Sequence, residues 1–265
     1  MLTKFRQWLA KMVWASGYQA ARRHRLNESW RTSGGRPDQH LQQDAKSLRF
    51  RSGELYRNNP IARSVVNSLV NQALPTEIRP RCSVKSVGNE DDAARFCREI
   101  NELWDRYSRD PDAFSLTGRL THSALQRLTA RTTVLNGETF LIAYNRAQSK
   151  YPSIRFDVVD SERLEGEQIT SIYSIQDRAG IEYNEDGRPV SYKFLPRDES
   201  KQSVEFPADD VSHVYYELYP GVQHGEPIAA AVGEQIYHYG RYYLAEIQGQ
   251  ETTARIFGVI KSDDW

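Results

Sequence analysis

The chain has 265 residues, 39% of them apolar, with 35 basic residues balancing 35 acidic ones. That is enough chain to bury a real core as one large domain or two small ones, and the mixture reads as globular and rather polar. No apolar run approaches the roughly 20 residues a bilayer span needs, and two cysteines cannot build a disulfide framework or a four-cysteine zinc site. Cys82 and Cys97 do not form a close pair in sequence, and a reducing, cytoplasmic setting is the simpler expectation. The zero net charge hides an uneven spread. Residues 1–50 hold ten Lys/Arg against three Asp/Glu, and residues 160–217 hold six against fourteen. Such a dipolar chain suits self-association, and it suits two solvated surfaces equally well.

Residues 1–45 read as a basic, flexible or partner-ordered arm. The stretch "FRQWLAKMVWASGY" (Phe5 to Tyr18) is apolar on one side, but Lys11 breaks it and it has no signal-peptide cleavage site. It reads as an amphipathic surface helix or a partner-binding arm. "AARRHRL" (Ala20 to Leu26) adds charge, and Gly34, Gly35 and Pro37 break any regular element. A helix is expected from Gln43 to Tyr56.

The next helix announces itself in "LYRNNPIARSVVNSLVN" (Leu55 to Asn71). Asn59 can accept a free first-turn N–H, and Pro60 fits the first helical position, where its missing N–H costs nothing. Ile61, Val65 and Leu69 form one apolar row and Ala62, Val66 and Val70 the adjacent row, so a broad stripe is expected to face a core. Asn89 should cap a further helix over Asn89 to Asp110, with Glu90, Asp91 and Asp92 in its first turn and Phe96, Ile100, Leu103, Trp104 and Tyr107 on its buried face. A third runs from about Thr117 to Leu135, closed by Asn136-Gly137 in a left-handed cap.

The period then changes. "ETFLIAY" (Glu138 to Tyr144) and "IRFDVVD" (Ile154 to Asp160) are β-branched and aromatic enough for strands. Gly180 to Leu195 reads as a hairpin turning at Asp186-Gly187, with Ile181/Tyr183 and Val190/Tyr192/Phe194 alternating on its arms. Asp209 to Tyr219 is a further strand. Pro220, Gly221 and Gly225 lead into a final helix from about Pro227 to Phe257. Helices, then strands, then one helix make an α+β arrangement. A helix of about 30 residues spans roughly 45 Å, more than a globule of this size needs. It is either a bent core helix or one packed against copies of itself.

Chemistry finds little support. Asp209, Val211 and His213 share one face of an extended strand, so a carboxylate–imidazole contact is possible there. No serine or cysteine in a nucleophile-elbow setting accompanies His213, so a hydrolase reading is secondary to a structural histidine. His24, His40, His122, His213, His224 and His238 are scattered without metal-ligand spacing. No Walker loop or G-x-G-x-x-G is present. The acidic pairs Asp91-Asp92, Asp209-Asp210 and Asp263-Asp264 are adjacent in sequence and point different ways. Catalytic, cofactor and metal residues are therefore expected to be none. A nucleic-acid-binding role through the basic arm is the alternative, against which zero net charge and the lack of aromatic–basic interleaving weigh.

Taken in order, "RSGELYRNNPIARSVVNSLVNQ" (Arg51 to Gln72), "NGETFLIAY" (Asn136 to Tyr144), "DVVDSERL" (Asp157 to Leu164), "GIEYNEDGRPVSYKFL" (Gly180 to Leu195), "FPADDVSHVYYELYPGVQHGEPI" (Phe206 to Ile228) and the closing helix resemble the portal proteins of lambda-type tailed phages. The resemblance implies a structural, non-enzymatic subunit of a twelve-subunit ring at a capsid vertex, hence a virion protein assembled in the host cytoplasm. Double-stranded DNA would pass non-specifically through the channel. Terminase, capsid or scaffold, and head–tail joining proteins would be partners, with no cofactor and no membrane. It further implies a wing-like α+β domain over residues 46–226, its Asn59-capped helix offering arginines to neighbouring subunits, and a stem-like helix over 227–265. Family members are about twice this long, so the clip, the returning stem helix and the crown are expected beyond Trp265. The resemblance thus implies that the chain is an N-terminal, truncated portion, as from a prophage or split gene.

Overall fold

Asn59 sits at the first joint among the described residues and does two jobs. Its Oδ1 accepts from the N–H groups of Ile61 and Ala62 at 2.9 and 3.1 Å, capping the helix that Pro60 begins. Its own backbone N–H closes the preceding helix onto Leu55. The computed structural model describes residues 37–84, 88, 90–147, 151–165, 177–178, 180–196 and 202–255. The expected arm up to residue 36, the Asn89 cap and the last ten residues lie outside that set.

Six helices and seven strands are described. The helices are α1 (Pro37–Asn58), α2 (Pro60–Ala73), α3 (Glu90–Arg109), α4 (Pro111–Phe114), α5 (His122–Asn136) and α6 (Gly233–Ala254). The strands are β1 (Glu138–Asn145), β2 (Ile154–Asp160), β3 (Asp177–Arg178), β4 (Ile181–Tyr183), β5 (Pro189–Phe194), β6 (Val204–Pro207) and β7 (Val211–Tyr215). The order is α+β, as expected. Several boundaries move, each for a local reason. α1 begins at Pro37, inside the stretch expected to be irregular, because proline is tolerated in a helix's first turn. The helix expected from Thr117 starts at His122, since the Thr121 side chain caps it through Ala124 N–H. The final helix starts at Gly233, not Pro227, after a run of turns. The last strand covers only Val211–Tyr215, because Ala208–Asp210 form a turn of 3-10 helix.

Two antiparallel sheets make the centre. One has the order β2-β1-β7 and the other β3-β4-β5-β6. In the first, Phe140 lies opposite both Val159 and His213, and Ile142 opposite both Asp157 and Val211. Alternation along β1 therefore sends Glu138, Phe140 and Ile142 to one face and Leu141 to the other. The first face packs on the second sheet through Phe140, Ile142, Val159, Val211, Ile181, Tyr192 and Phe194. The second face packs on α3, α4 and α5 through Leu141, Phe156, Val158, Tyr107, Phe114 and Leu125. Each fully buried phenylalanine here contributes roughly 1.5–3 kcal/mol of apolar transfer. The Tyr107 hydroxyl donates to the Ile154 carbonyl and pins α3 to the edge strand β2. The Asp186-Gly187 hairpin turn is present, Gly187 at φ 78°.

The helical stripes are only half as buried as their pattern suggests. In α2, Ala62, Val66 and Val70 are buried against α1 and α5, whereas Ile61 and Val65 remain about half exposed. In α3, Ala93, Tyr107 and Ser108 are buried, while Phe96 and Ile100, expected inside, are exposed. A periodic stripe reports which side of a helix is apolar; how wide a strip of it the neighbours cover depends on their crossing geometry.

Candidate functional site

The most concentrated polar structure among the described residues surrounds Glu138. Its position follows from the cap before it. α5 ends at Asn136, and Gly137 at φ 87° turns the chain into β1, a conformation only glycine adopts cheaply. Glu138 is then the first residue on the apolar face of β1, and it is fully buried.

Four groups from three other segments meet its carboxylate. Arg49 of α1 donates to Oε1 at 2.6 Å. His213 of β7 donates through Nε2 to Oε2 at 3.1 Å, and His224 through Nδ1 to the same oxygen at 3.0 Å. The Gly225 N–H adds a fourth bond at 3.3 Å. A carboxylate only accepts, so both imidazoles present N–H. Burial pushes the Glu138 carboxyl up, but the charge of His224, the hydrogen bonds from His213 and His224, and the charge of Arg49 outweigh it. The group is held well below the usual carboxylate range. Arg49 also donates from Nε to the Asn136 carbonyl at 3.2 Å, satisfying the free C-terminal end of α5.

Close backbone approach makes the cluster possible. A Cβ on Gly225 would lie 2.0 Å from the Gly137 carbonyl oxygen, and one on Gly137 would lie 2.4 Å from the Gly225 carbonyl oxygen. Any side chain at either position would push the 224–225 loop off β1. The loop is further held by the Tyr215 hydroxyl on the Val222 carbonyl at 3.3 Å and by Ile228 N–H on the Val134 carbonyl at 3.1 Å.

The structure gives His213 a different carboxylate from the one expected. Asp209 lies in the exposed 3-10 turn, outside the strand, and cannot share its face. The imidazole instead stacks on Phe140 at 4.4 Å and bonds Glu138. Glu138, His224 and Arg49 were not singled out from sequence. The available signal was an acidic residue in phase with Phe140 and Ile142, on a face that must otherwise be apolar. Among the described residues no group of three His, Cys, Asp or Glu side chains could hold a metal ion, and no helix is long and apolar enough to cross a membrane.

A second polar feature lies on the surface, where a groove beside α2 is lined by Arg57, Asn58, Pro60, Arg63, Ser64 and Asn67. Arg63 is engaged within the chain. Its guanidinium donates to the carbonyls of Tyr56 and Arg57 at 3.0 and 2.8 Å and lies over the Tyr56 ring, closing the C-terminal end of α1.

The last helix is the opposite of the Glu138 cluster. None of the residues of α6 is buried. Tyr237, Tyr239, Tyr242, Tyr243 and Leu244 are all about half exposed or more. The helix touches α1 near its start, where a Cβ on Gly233 would reach Leu55 Cδ1 at 3.4 Å and one on Gly240 would reach Asn59 Nδ2 at 3.0 Å. Ile247 is 36% exposed.

Comparison with known proteins gives a consistent family and a distant structural likeness. No curated protein matches the chain. Among solved structures, the neck of an empty gene transfer agent (GTA) particle is similar at 15% identity and a TM-score of 0.45, over 83% of this chain and 48% of that one. The virion of a native gene transfer agent particle is similar at 16% identity and a TM-score of 0.46, over 83% and 46%. The chain thus spans less than half the length of the solved chains it matches. The family description "phage portal protein, lambda family" matches residues 23–265, nearly all of the sequence, and the chain belongs to that family.

Proposed function

We propose that this chain is a structural subunit of a phage head portal, working at the capsid vertex of the virion without catalysis of its own. The observation that carries this reading is the family match over residues 23–265. On it, residues 46–226 act as the wing-like body and residues 227–265 as a stem-like helix that packs beside copies of itself. Arg49, Glu138, His213 and His224 act together as a joint inside the body, tying α1, the end of α5, β1, β7 and the 224–225 loop to one another. The exposed aromatic and aliphatic side chains of α6 support a helix that works within an assembly, because uncovered apolar surface favours association by roughly 25 cal/mol per Å² buried. Copies of the chain would form a ring, double-stranded DNA would pass through it without sequence reading, and a packaging motor and head–tail joining proteins would dock on it.

Native mass spectrometry of the purified full chain tests the reading. A closed ring of one copy number is expected, and electron microscopy of the same particle should show an axial channel. A chain that remains monomeric at the highest attainable concentration, in the presence and absence of double-stranded DNA, would overturn it.

A further inference from the structure

Cys82 and Cys97 meet where the extended segment from Glu77 to Val84 crosses α3. Their Sγ atoms are 3.2 Å apart, the Cys82 thiol donating to Cys97, and both are free and part-exposed. The approach is built by several further contacts. Cys82 N–H donates to Asn101 Oδ1 at 3.0 Å, and Val84 N–H to Cys97 Sγ at 3.4 Å. Arg79 pairs with Asp105 at 3.3 Å. Cys97, Asn101 and Asp105 are four residues apart in turn, so the segment follows one face of α3. Its other end is fastened to α5. Gln126 exchanges two hydrogen bonds with the backbone of Ile78, at 3.1 and 2.9 Å, and His122 contacts Glu77 at 2.7 Å. The segment is a strap held at both ends, with the two sulfurs at one fastening.

We infer that Cys82 and Cys97 are a reversible redox staple, closed by low-molecular-weight disulfides of the glutathione class and reopened by thiols. A disulfide bond is about 2.0 Å long, so the sulfurs must approach by roughly 1 Å. The strap carries no helix or sheet ladder that this movement would break.

Two donors converge on Cys97 Sγ, so this sulfur leads. Its thiolate attacks one sulfur of the small disulfide, that S–S bond breaks, and one small thiolate leaves. The Cys82 thiol, pushed up by its hydrogen bond to Cys97, is freed when that bond is lost. It gives up its proton, attacks the Cys97 sulfur of the mixed disulfide and expels the second small thiolate. Two protein thiols are oxidised to one disulfide, one small disulfide is reduced to two thiols, and the two protons finish on those thiols. The closed staple joins strap and α3 covalently, while the open form relies on the hydrogen bonds alone.

The test uses the full chain, reduced, desalted and incubated with oxidised glutathione. Both thiols should disappear together, and the intact mass should fall by two hydrogens. Tryptic digestion without reductant should yield the peptide Cys82–Lys85 joined to Phe96–Arg98, and dithiothreitol should separate them. The Cys82→Ser and Cys97→Ser variants, folded by circular dichroism, should each stop at a stable glutathione adduct, a mass gain in place of the loss. Glutathione retained on both cysteines of the unsubstituted chain would overturn the proposal. So would cross-links between chains, or thiols that stay unreacted while a urea-denatured control reacts fully.

Discussion

The Glu138 cluster and α6 represent two opposite solutions to the problem of placing a side chain. Around Glu138 a full charge is buried, and four donors from three distant segments converge on it. Along α6, tyrosines, a leucine and an isoleucine face outward and no residue is buried. The contrast separates what holds the subunit together from what it can offer to others. A charge enters the interior only where its partners are fixed, since removing one partner strands the rest. An apolar face left uncovered costs the subunit little, yet each part of it gains when another surface arrives.

The largest effect is expected at the buried end. Glu138→Gln leaves Arg49 without its counter-charge and should destabilise the chain by about 3–5 kcal/mol, read as a shift in the urea midpoint at constant slope. The same substitution should flatten the acid side of the stability profile. The folded carboxyl is held below its unfolded value of about 4.3, so its contribution is present in full above that pH and is lost as pH falls toward the folded value. An E138Q variant with an unchanged profile below pH ~4 would show that other carboxylates dominate acid unfolding. Gly225→Ala should approach the Glu138 effect in size, because its Cβ meets the Gly137 carbonyl oxygen at 2.0 Å and the His224 and Gly225 bonds are lost together. Retained stability in that variant would mean that the loop can move off β1 without penalty.

Between the two extremes lies the joint at Asn59. Asn59→Ala removes two hydrogen bonds to the first turn of α2 and should cost about 1 kcal/mol, measurable as a shift in thermal midpoint. The smallest effect on stability belongs to α6. Replacing Tyr242, Leu244 and Ile247 together by serine should change the unfolding free energy of the monomer by no more than about 0.5 kcal/mol per site. Sedimentation should nevertheless show markedly weaker self-association. If the triple variant unfolds instead, α6 belongs to the core and the contrast dissolves.

How much of this could be read from the sequence depends on how far apart the cooperating residues lie. The Asn59–Pro60 start, the Gly137 turn and the Asp186-Gly187 hairpin are legible because each is decided within about four residues by backbone geometry. The exposed row of α2 is less so, because Ile61 and Val65 have the same period as their buried neighbours and only the width of the helix contact distinguishes them. The Glu138 cluster was not legible. Its donors come from residues 49, 213, 224 and 225, and no local pattern links an arginine in one helix to two histidines beyond the sheets. His213 is legible as a candidate, but the carboxylate that would share its face in an extended strand, Asp209, is not the one it meets. The two cysteines fall in the same class, brought together by a strap whose course no periodicity describes.

The long reach of the Glu138 bonds also has a consequence in time. Gly225 lies 87 residues after Glu138 in the chain. At synthesis rates of about 5–20 residues per second, that interval takes roughly 4–17 s on the ribosome. During it Arg49 is available, but the β7 histidine, the loop histidine and the loop amide are still to come. A carboxylate with one partner of four has no reason to leave water, so β1 cannot settle into its final burial until residues 213–225 have been made. The helices α1 to α5 precede that interval and the strands β2 to β6 emerge during it, and closure of β7 on β1 becomes a late event triggered by the emergence of the 211–225 region.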